Sequence, residues 1–269
     1  MDALRAIDSW GARTAAAGVV RADTELGVHG PRETVLRWAS VTKLLTGVAA
    51  LVAVEEGTVD LDERAGPDGS MLRHLLAHAS GLPSEEGPPL MPPERRRIYS
   101  NYGIELAAAL VAERAGMPFE EYLRGSVLEP LGLAGALHGS PARGYRGPLD
   151  DLLALARELL APTLVAPETL AEATSVQFPG LAGVLPGWGR LEPNDWGLTF
   201  ELRDHKSPHW TSPSNSPRTF GHFGAAGTFL WVDPELGVAC AVLTDKEFGE
   251  WAVDAWPRFN ESVVGEQRT

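Results

Sequence analysis

The sequence predicts an α+β fold: an antiparallel sheet flanked by helices, with a helical lobe inserted between its two halves. Three observations carry this. Strand-like segments cluster near both ends of the chain, an almost uncharged helix follows the first cluster, and the middle is a series of short helices broken by prolines rather than a regular βαβ alternation. The 269 residues, 44% of them hydrophobic, suffice for one large core or two lobes sharing one.

Residues 1–13 read as a short amphipathic helix. Segments 16–21, 25–29 and 34–39 read as short antiparallel strands, with Asp23 and the Gly30-Pro31 pair among the turn residues between them. The period then changes. Ser40 to Glu56 carries almost no charge after Lys43, so it reads as a helix buried on nearly every face, stopped by Gly57. Helical patterns follow near 70–77, 101–115, 119–127 and 149–160. Strand patterns return at 196–202, 226–233 and 237–244, and a last helix near 251–264 is kinked or restarted at Pro257. The expected organisation is a discontinuous sheet lobe, residues 1–57 and 195–269, around a helical lobe, residues 58–194.

Charge and cysteine content narrow the function. A net charge of −13 disfavours phosphate backbones and anionic lipid, so neither nucleic acid nor membrane is an expected partner. The single cysteine, Cys240, has no internal partner, and no Cys/His cluster has zinc spacing, so no metal or other cofactor is expected. The N-terminus lacks the pattern of a secretory signal and no apolar run has transmembrane length, which makes the cytoplasm the expected location.

Three short motifs remain as candidate chemistry. Ser40-Val-Thr-Lys43 sits where a strand gives way to the buried helix, and an i,i+3 pair shares one helix face. A serine hydroxyl needs a base to become a nucleophile, and a desolvated lysine beside it is a workable one. With three lysines in the chain, this composition gives about 0.16 chance SxxK matches. The bland reading is a helix-capping serine and a snorkelling lysine. Tyr99-Ser-Asn101 precedes the 101–115 helix; a tyrosine can serve as phenolate base or proton relay, and an asparagine amide can orient a substrate carbonyl. His222-Phe-Gly224 opens a strand within a glycine-rich stretch, where a backbone can approach a ligand closely.

These motifs, in this order, resemble the serine β-lactamase and penicillin-binding-protein superfamily, and specifically its class C-like branch of family VIII-type esterases, D-aminopeptidases and DD-peptidases. The segment Leu72-Arg-His-Leu-Leu-Ala-His-Ala-Ser-Gly-Leu-Pro83 is similar to that branch's LLxHxSGL stretch. The resemblance implies a β-lactamase/transpeptidase-like fold. It implies Ser40 as acylated nucleophile, Lys43 and Tyr99 as base and proton relay, Asn101 holding substrate or Lys43, and the backbone N–H groups of Ser40 and Ala225 as oxyanion hole. His222 stands where many relatives carry lysine, in a substrate-binding stretch with Gly224 and Ala225. That histidine removes a permanent cation for a substrate carboxylate; Arg218 is a possible substitute, though a solvated surface arginine is the plainer reading. The expected activity is a serine hydrolase, esterase-like on a small-molecule acyl substrate. The alternatives are amide chemistry (D-aminopeptidase, DD-peptidase, β-lactamase), acyl transfer, or a non-catalytic binding protein on the same scaffold. His74 and His78 have the i,i+4 spacing of a metal pair but no third ligand, and Arg95-Arg-Arg97 reads as a solvated turn.

Overall fold

A computed structural model describes residues 1–268. A 3-10 helix, Asp2–Ser9, leads into β1 (Ala15–Val20), β2 (Glu25–His29) and the two-residue β3 (Leu36–Arg37). A 3-10 turn, Ala39–Val41, runs directly into α1 (Thr42–Glu55). The middle holds α2 (Leu72–Leu76), α3 (Asn101–Ala115), α4 (Phe119–Leu123), β4 (Ala136–Leu137), β5 (Tyr145–Gly147), α5 (Leu149–Leu160), α6 (Pro167–Ala173), β6 (Gly183–Leu185) and β7 (Gly189–Leu191). The chain finishes with β8 (Glu201–Leu202), β9 (Phe220–Gly224), β10 (Thr228–Asp233), β11 (Val238–Thr244) and α7 (Glu250–Gln267).

The two strand clusters do join. One antiparallel sheet has the order β2-β1-β11-β10-β9-β8, and β1 pairs with β11 from Ala15 opposite Thr244 to Val20 opposite Ala239. Its two faces divide the core by the period of two that a strand imposes. On β10, Phe229 and Trp231 enter an aromatic-rich core under α7 and the N-terminal 3-10 helix, while Leu230 and Val232 enter an aliphatic core with α1 and α5. β11 splits the same way, with Val238, Cys240 and Val242 on the aromatic side and Ala239, Ala241 and Leu243 on the other. Helix α5 comes from the middle of the chain yet packs on the sheet: a Cβ at Gly18 of β1 would lie 2.8 Å from Leu153 Cδ1, so the absent side chain is what lets α5 approach. The middle segment therefore does not stand apart from the sheet as a purely helical lobe.

Helix α1 is buried from Thr42 through Ala53, as its uniform apolarity requires. Helices at 101–115 and 149–160 keep their expected bounds. Five expectations need correction. The 34–39 strand shrinks to Leu36–Arg37 and pairs with β5 in a separate small sheet, because Trp38 turns inward and Ala39 takes φ +47° to begin the next turn. The 196–202 strand shrinks to Glu201–Leu202: Thr199 has φ +66°, and Gly197 N–H donates to Phe200 O at 2.9 Å in a tight turn. The alternating apolar residues there are buried by a turn, not by a strand. Helix α4 passes into a π turn at Arg124–Leu128, and α7 runs unbroken through Pro257. Arg97 is not solvated: only 3% exposed, it donates to the carbonyls of Ala77, Gln177, Phe178 and Asn194 and ties three loops together.

Among the described residues no helix is long and apolar enough to cross a membrane.

Candidate active site

The Ser40 turn is placed by its neighbours. Trp38 is fully buried, its indole N–H donating to Gly147 O at 3.3 Å. Ala39 in the left-handed region costs roughly 1–3 kcal/mol, which the packing around it must offset. The chain is thereby redirected so that the half-buried Ser40 opens the turn leading into α1, and Lys43 lies in the first turn of that helix. Lys43 Nζ, fully buried, lies 3.3 Å from Ser40 Oγ, 2.7 Å from Asn101 Oδ1 and 2.9 Å from Ala142 O. Both carbonyl oxygens can only accept. A neutral amine that donates its two N–H bonds to them turns its lone pair towards the serine hydroxyl. Burial, then the nearby Arg143 charge, hold Lys43 well below the ordinary lysine value, with Glu105 and Glu85 opposing in part.

The Tyr99-Ser-Asn101 segment is presented by the 72–84 stretch. Ser100 caps α3, its hydroxyl accepting from Gly103 N–H at 2.8 Å and donating to Pro83 O at 2.6 Å. Ser100 N–H also donates to His78 Nδ1 at 3.2 Å. The middle residue of the motif therefore points into the scaffold while its neighbours, Tyr99 and Asn101, face the site. Tyr99 packs against His78 and lies under Lys43, whose Nζ is 4.8 Å from the ring centroid. Burial pushes the phenol well above its ordinary value, with Ser40 opposing in part, so it keeps its proton.

The third motif closes the other side. His222 Nδ1–H donates to Phe223 O at 2.6 Å, which leaves Nε2 as an acceptor 3.5 Å from the Tyr99 hydroxyl. Burial, helped by the Lys43 charge, drives His222 down to about 3, so this ring is neutral. Gly224 lies against the Ser40 turn: a Cβ there would be 2.5 Å from Trp38 O and 3.0 Å from Ser40 N. Only glycine allows that approach, which brings the Ala225 peptide to the Ser40 backbone. β9 is not the edge strand, but β8 pairs only with Phe220 and Gly221, so its Gly224 end behaves as an edge. All seven sequence-selected residues converge here. Ser40, Tyr99, Asn101, His222 and Ala225 line one cavity of about 230 Å³, with Gly224 and Lys43 just behind its wall.

Residues 7–264 match the Beta-lactamase family. The chain belongs to that family. It is similar to a β-lactamase from Mycobacterium bovis, with 48% identity and a TM-score of 0.97 covering 99% of this chain and 100% of that one. Two solved structures share the fold at 18% identity. Simvastatin synthase from Aspergillus terreus has a TM-score of 0.78 over 100% and 98% of the two chains. EstCE1, a hydrolase with promiscuous acyltransferase activity, has 0.77 over 97% and 96%. A curated relative, the ML-236A carboxylate methylbutanoyltransferase of Penicillium citrinum, is 30% identical over a stretch covering 38% of this chain and 37% of that protein, so this match spans little more than a third of the curated relative's length.

Against that family background, several neighbours of the site had no sequence signal. Phe223, the middle residue of the third motif, shares the cavity's far wall with Leu185, Pro186, Trp196 and Phe248, apolar side chains from three other segments to which the three motifs do not point. Ala142 contributes a backbone carbonyl, which no residue type announces. Arg143 and Glu85 meet beside Asn101 in a bidentate pair of 3.0 and 2.8 Å. Arg218 is exposed on a different groove, beside Pro217 and Asp204, and does not reach the cavity. His74 and His78 do not act as a pair: His74 Nδ1 accepts from Met71 N–H at 3.1 Å and its Nε2 meets Glu94, while His78 faces Ser100 and Tyr99. Among the described residues no His/Cys/Asp/Glu group is arranged to hold a metal ion.

Proposed function

We propose that the protein is a serine hydrolase that forms an acyl-enzyme on Ser40 and acts on small, uncharged acyl esters. The observation that carries this reading is the hydrogen-bond set of Lys43: two carbonyl acceptors and one serine hydroxyl, with no carboxylate in contact. Such a lysine is a base rather than an ion-pair partner. Ser40 Oγ attacks the ester carbonyl while its proton passes to Lys43. The carbonyl oxygen gains charge beside the N–H groups of Ser40 and Ala225. Tyr99, which keeps its proton, hands it to the departing alkoxide and regains one from Lys43. Water then attacks the acyl-enzyme by the same route reversed.

The ester preference rests on charge and wall chemistry. His222 is neutral where many relatives carry lysine, and Arg143, whose charge acts on Lys43, is paired with Glu85. The acyl group meets Leu185, Pro186, Phe223 and Phe248. A short or branched acyl group also suits the name of the methylbutanoyltransferase relative, whereas the Mycobacterium relative's name favours amide hydrolysis. The test is a side-by-side assay: p-nitrophenyl butyrate should turn over faster than nitrocefin, and the reverse ranking moves the protein to β-lactam chemistry. A fluorophosphonate should label wild type and not Ser40→Ala. Equal labelling of both removes Ser40 as nucleophile, and labelling of neither leaves a binding scaffold.

A further inference from the structure

Glu85 and Arg143 lie 58 residues apart in sequence, on two loops that meet beside Asn101, a residue of the cavity lining. Neither belongs to the three motifs. Yet Glu85 Oε1 accepts from Asn101 Nδ2 at 2.9 Å as well as from Arg143 Nη1 at 3.0 Å, and Oε2 accepts from Arg143 Nη2 at 2.8 Å. The other contact of Asn101 Nδ2, Ser84 Oγ, is long at 3.5 Å. An asparagine amide can flip end for end, and only one orientation gives Lys43 an acceptor. Glu85 selects that orientation, because a carboxylate accepts from the NH₂ end and repels the carbonyl end.

The arginine is the fixed post of this arrangement. Its loop is pinned from below: Thr46 Oγ1 donates to Pro141 O at 2.6 Å, Ser140 Oγ donates to Glu105 of α3, and Ala142 N–H donates to Ser140 Oγ at 3.1 Å. That same loop supplies the Ala142 carbonyl, the second acceptor for Lys43. Glu85 is 61% exposed; the loop just before it is tied to the start of α3, by Ser100 Oγ on Pro83 O and Tyr102 N–H on Ser84 O, and the bidentate pair holds the side chain itself.

We propose that Glu85 and Arg143 are positioning residues, a clamp beside the cavity that locks the Asn101 amide and so aims the lone pair of Lys43 at Ser40. The clamp rests on the reading of Ser40 as the acylated residue. It also sets opposite charges near the base. The groups facing Lys43 are Arg143 and Glu85 from the two loops, Glu105 from α3, and the neutral His78, Tyr99 and His222. Removing Glu85 leaves Arg143 unopposed and makes Lys43 harder to protonate; removing Arg143 does the reverse.

The test is the rate of Ser40 labelling by an uncharged fluorophosphonate, followed from pH 4 to 10, in wild type, Glu85→Ala, Arg143→Ala and Glu85→Gln. Both alanine variants should lose tenfold or more at the high-pH plateau. Their acidic limbs should move in opposite directions, down in pH for Glu85→Ala and up for Arg143→Ala. Glu85→Gln keeps a carbonyl acceptor for Asn101 and should recover the plateau to within a few-fold. Unfolding midpoints should stay near wild type, since both side chains are largely solvated. Plateaus within twofold of wild type, limbs that stay put or move together, or a Gln variant as slow as Ala each overturn the clamp. Failure of wild type itself to label at Ser40 overturns the underlying nucleophile assignment instead.

Discussion

Two of the three lysines are buried, and they are built for opposite ends. Lys206 donates to the Glu201 carboxylate, to Asp195 O at 2.8 Å and to Leu202 O at 2.7 Å, so all three ammonium protons are taken. Glu201 is satisfied in turn by His209 Nε2 and Trp210 Nε1, each at 2.8 Å. Burial alone would push Glu201 up; His209 and Lys206 pull it down to about 2, and the carboxylate stays charged. Lys43 is buried as deeply but meets two carbonyls and one hydroxyl. Burial does not by itself make a lysine a base. The presence or absence of a carboxylate partner decides between a fixed cation that holds a loop and an amine that moves a proton.

The sharpest way to break this comparison is to remove each lysine in turn. Lys43→Ala should slow acylation of Ser40 by about 10³-fold, within the span that a general base supplies, while the fold stays intact. Near-full labelling in that variant removes Lys43 from the proton path. Lys206→Ala should do the opposite. It strands Glu201 without its cation, at a cost of about 3–5 kcal/mol in stability, yet the folded fraction should label within a few-fold of wild type. Replacing both partners, Glu201→Gln with Lys206→Met, should recover part of that loss. Loss of chemistry without loss of stability in Lys206→Ala would erase the distinction.

A smaller effect sharpens the site side of the comparison. Folded His222 stays neutral down to about pH 3, whereas in the unfolded chain it takes a proton below about 6.5. The unfolded state therefore binds the extra proton between those values, and stability falls as pH drops through that window, by about 1 kcal/mol per pH unit from this ring. His222→Gln should flatten the slope of stability against pH by that share. An unchanged slope means that His222 is protonated in the fold and that its Nε2 does not accept from Tyr99.

What was legible in the sequence follows from how each feature is encoded. Ser40 with Lys43, and Tyr99 with Asn101, are side chains at fixed local spacing on helix starts, and local geometry delivers them without help from the rest of the chain. Helices 101–115 and 149–160 were readable for the same reason, each with a clear period and clear stops. The Ala142 carbonyl was invisible because a backbone group has no residue type. Glu85 and Arg143 were invisible because their meeting depends on two loops converging. Arg97 was misread because a run of three arginines says nothing about which one turns inward. The 196–202 stretch misled because alternating apolar residues bury equally well around a turn.

The pairing of β1 with β11 has a consequence for how the enzyme comes into being. Val20 and Ala239 must be neighbours in the sheet, yet 218 residues lie between them, and His222, Gly224 and Ala225 arrive only with the last third of the chain. Contacts this distant in sequence form late. While the ribosome is still making residues before β9, Ser40 and Lys43 already exist but have no third motif beside them. The nascent chain thus holds the Ser40 hydroxyl apart from Gly224 and Ala225, and the site is assembled only by completion of the sheet.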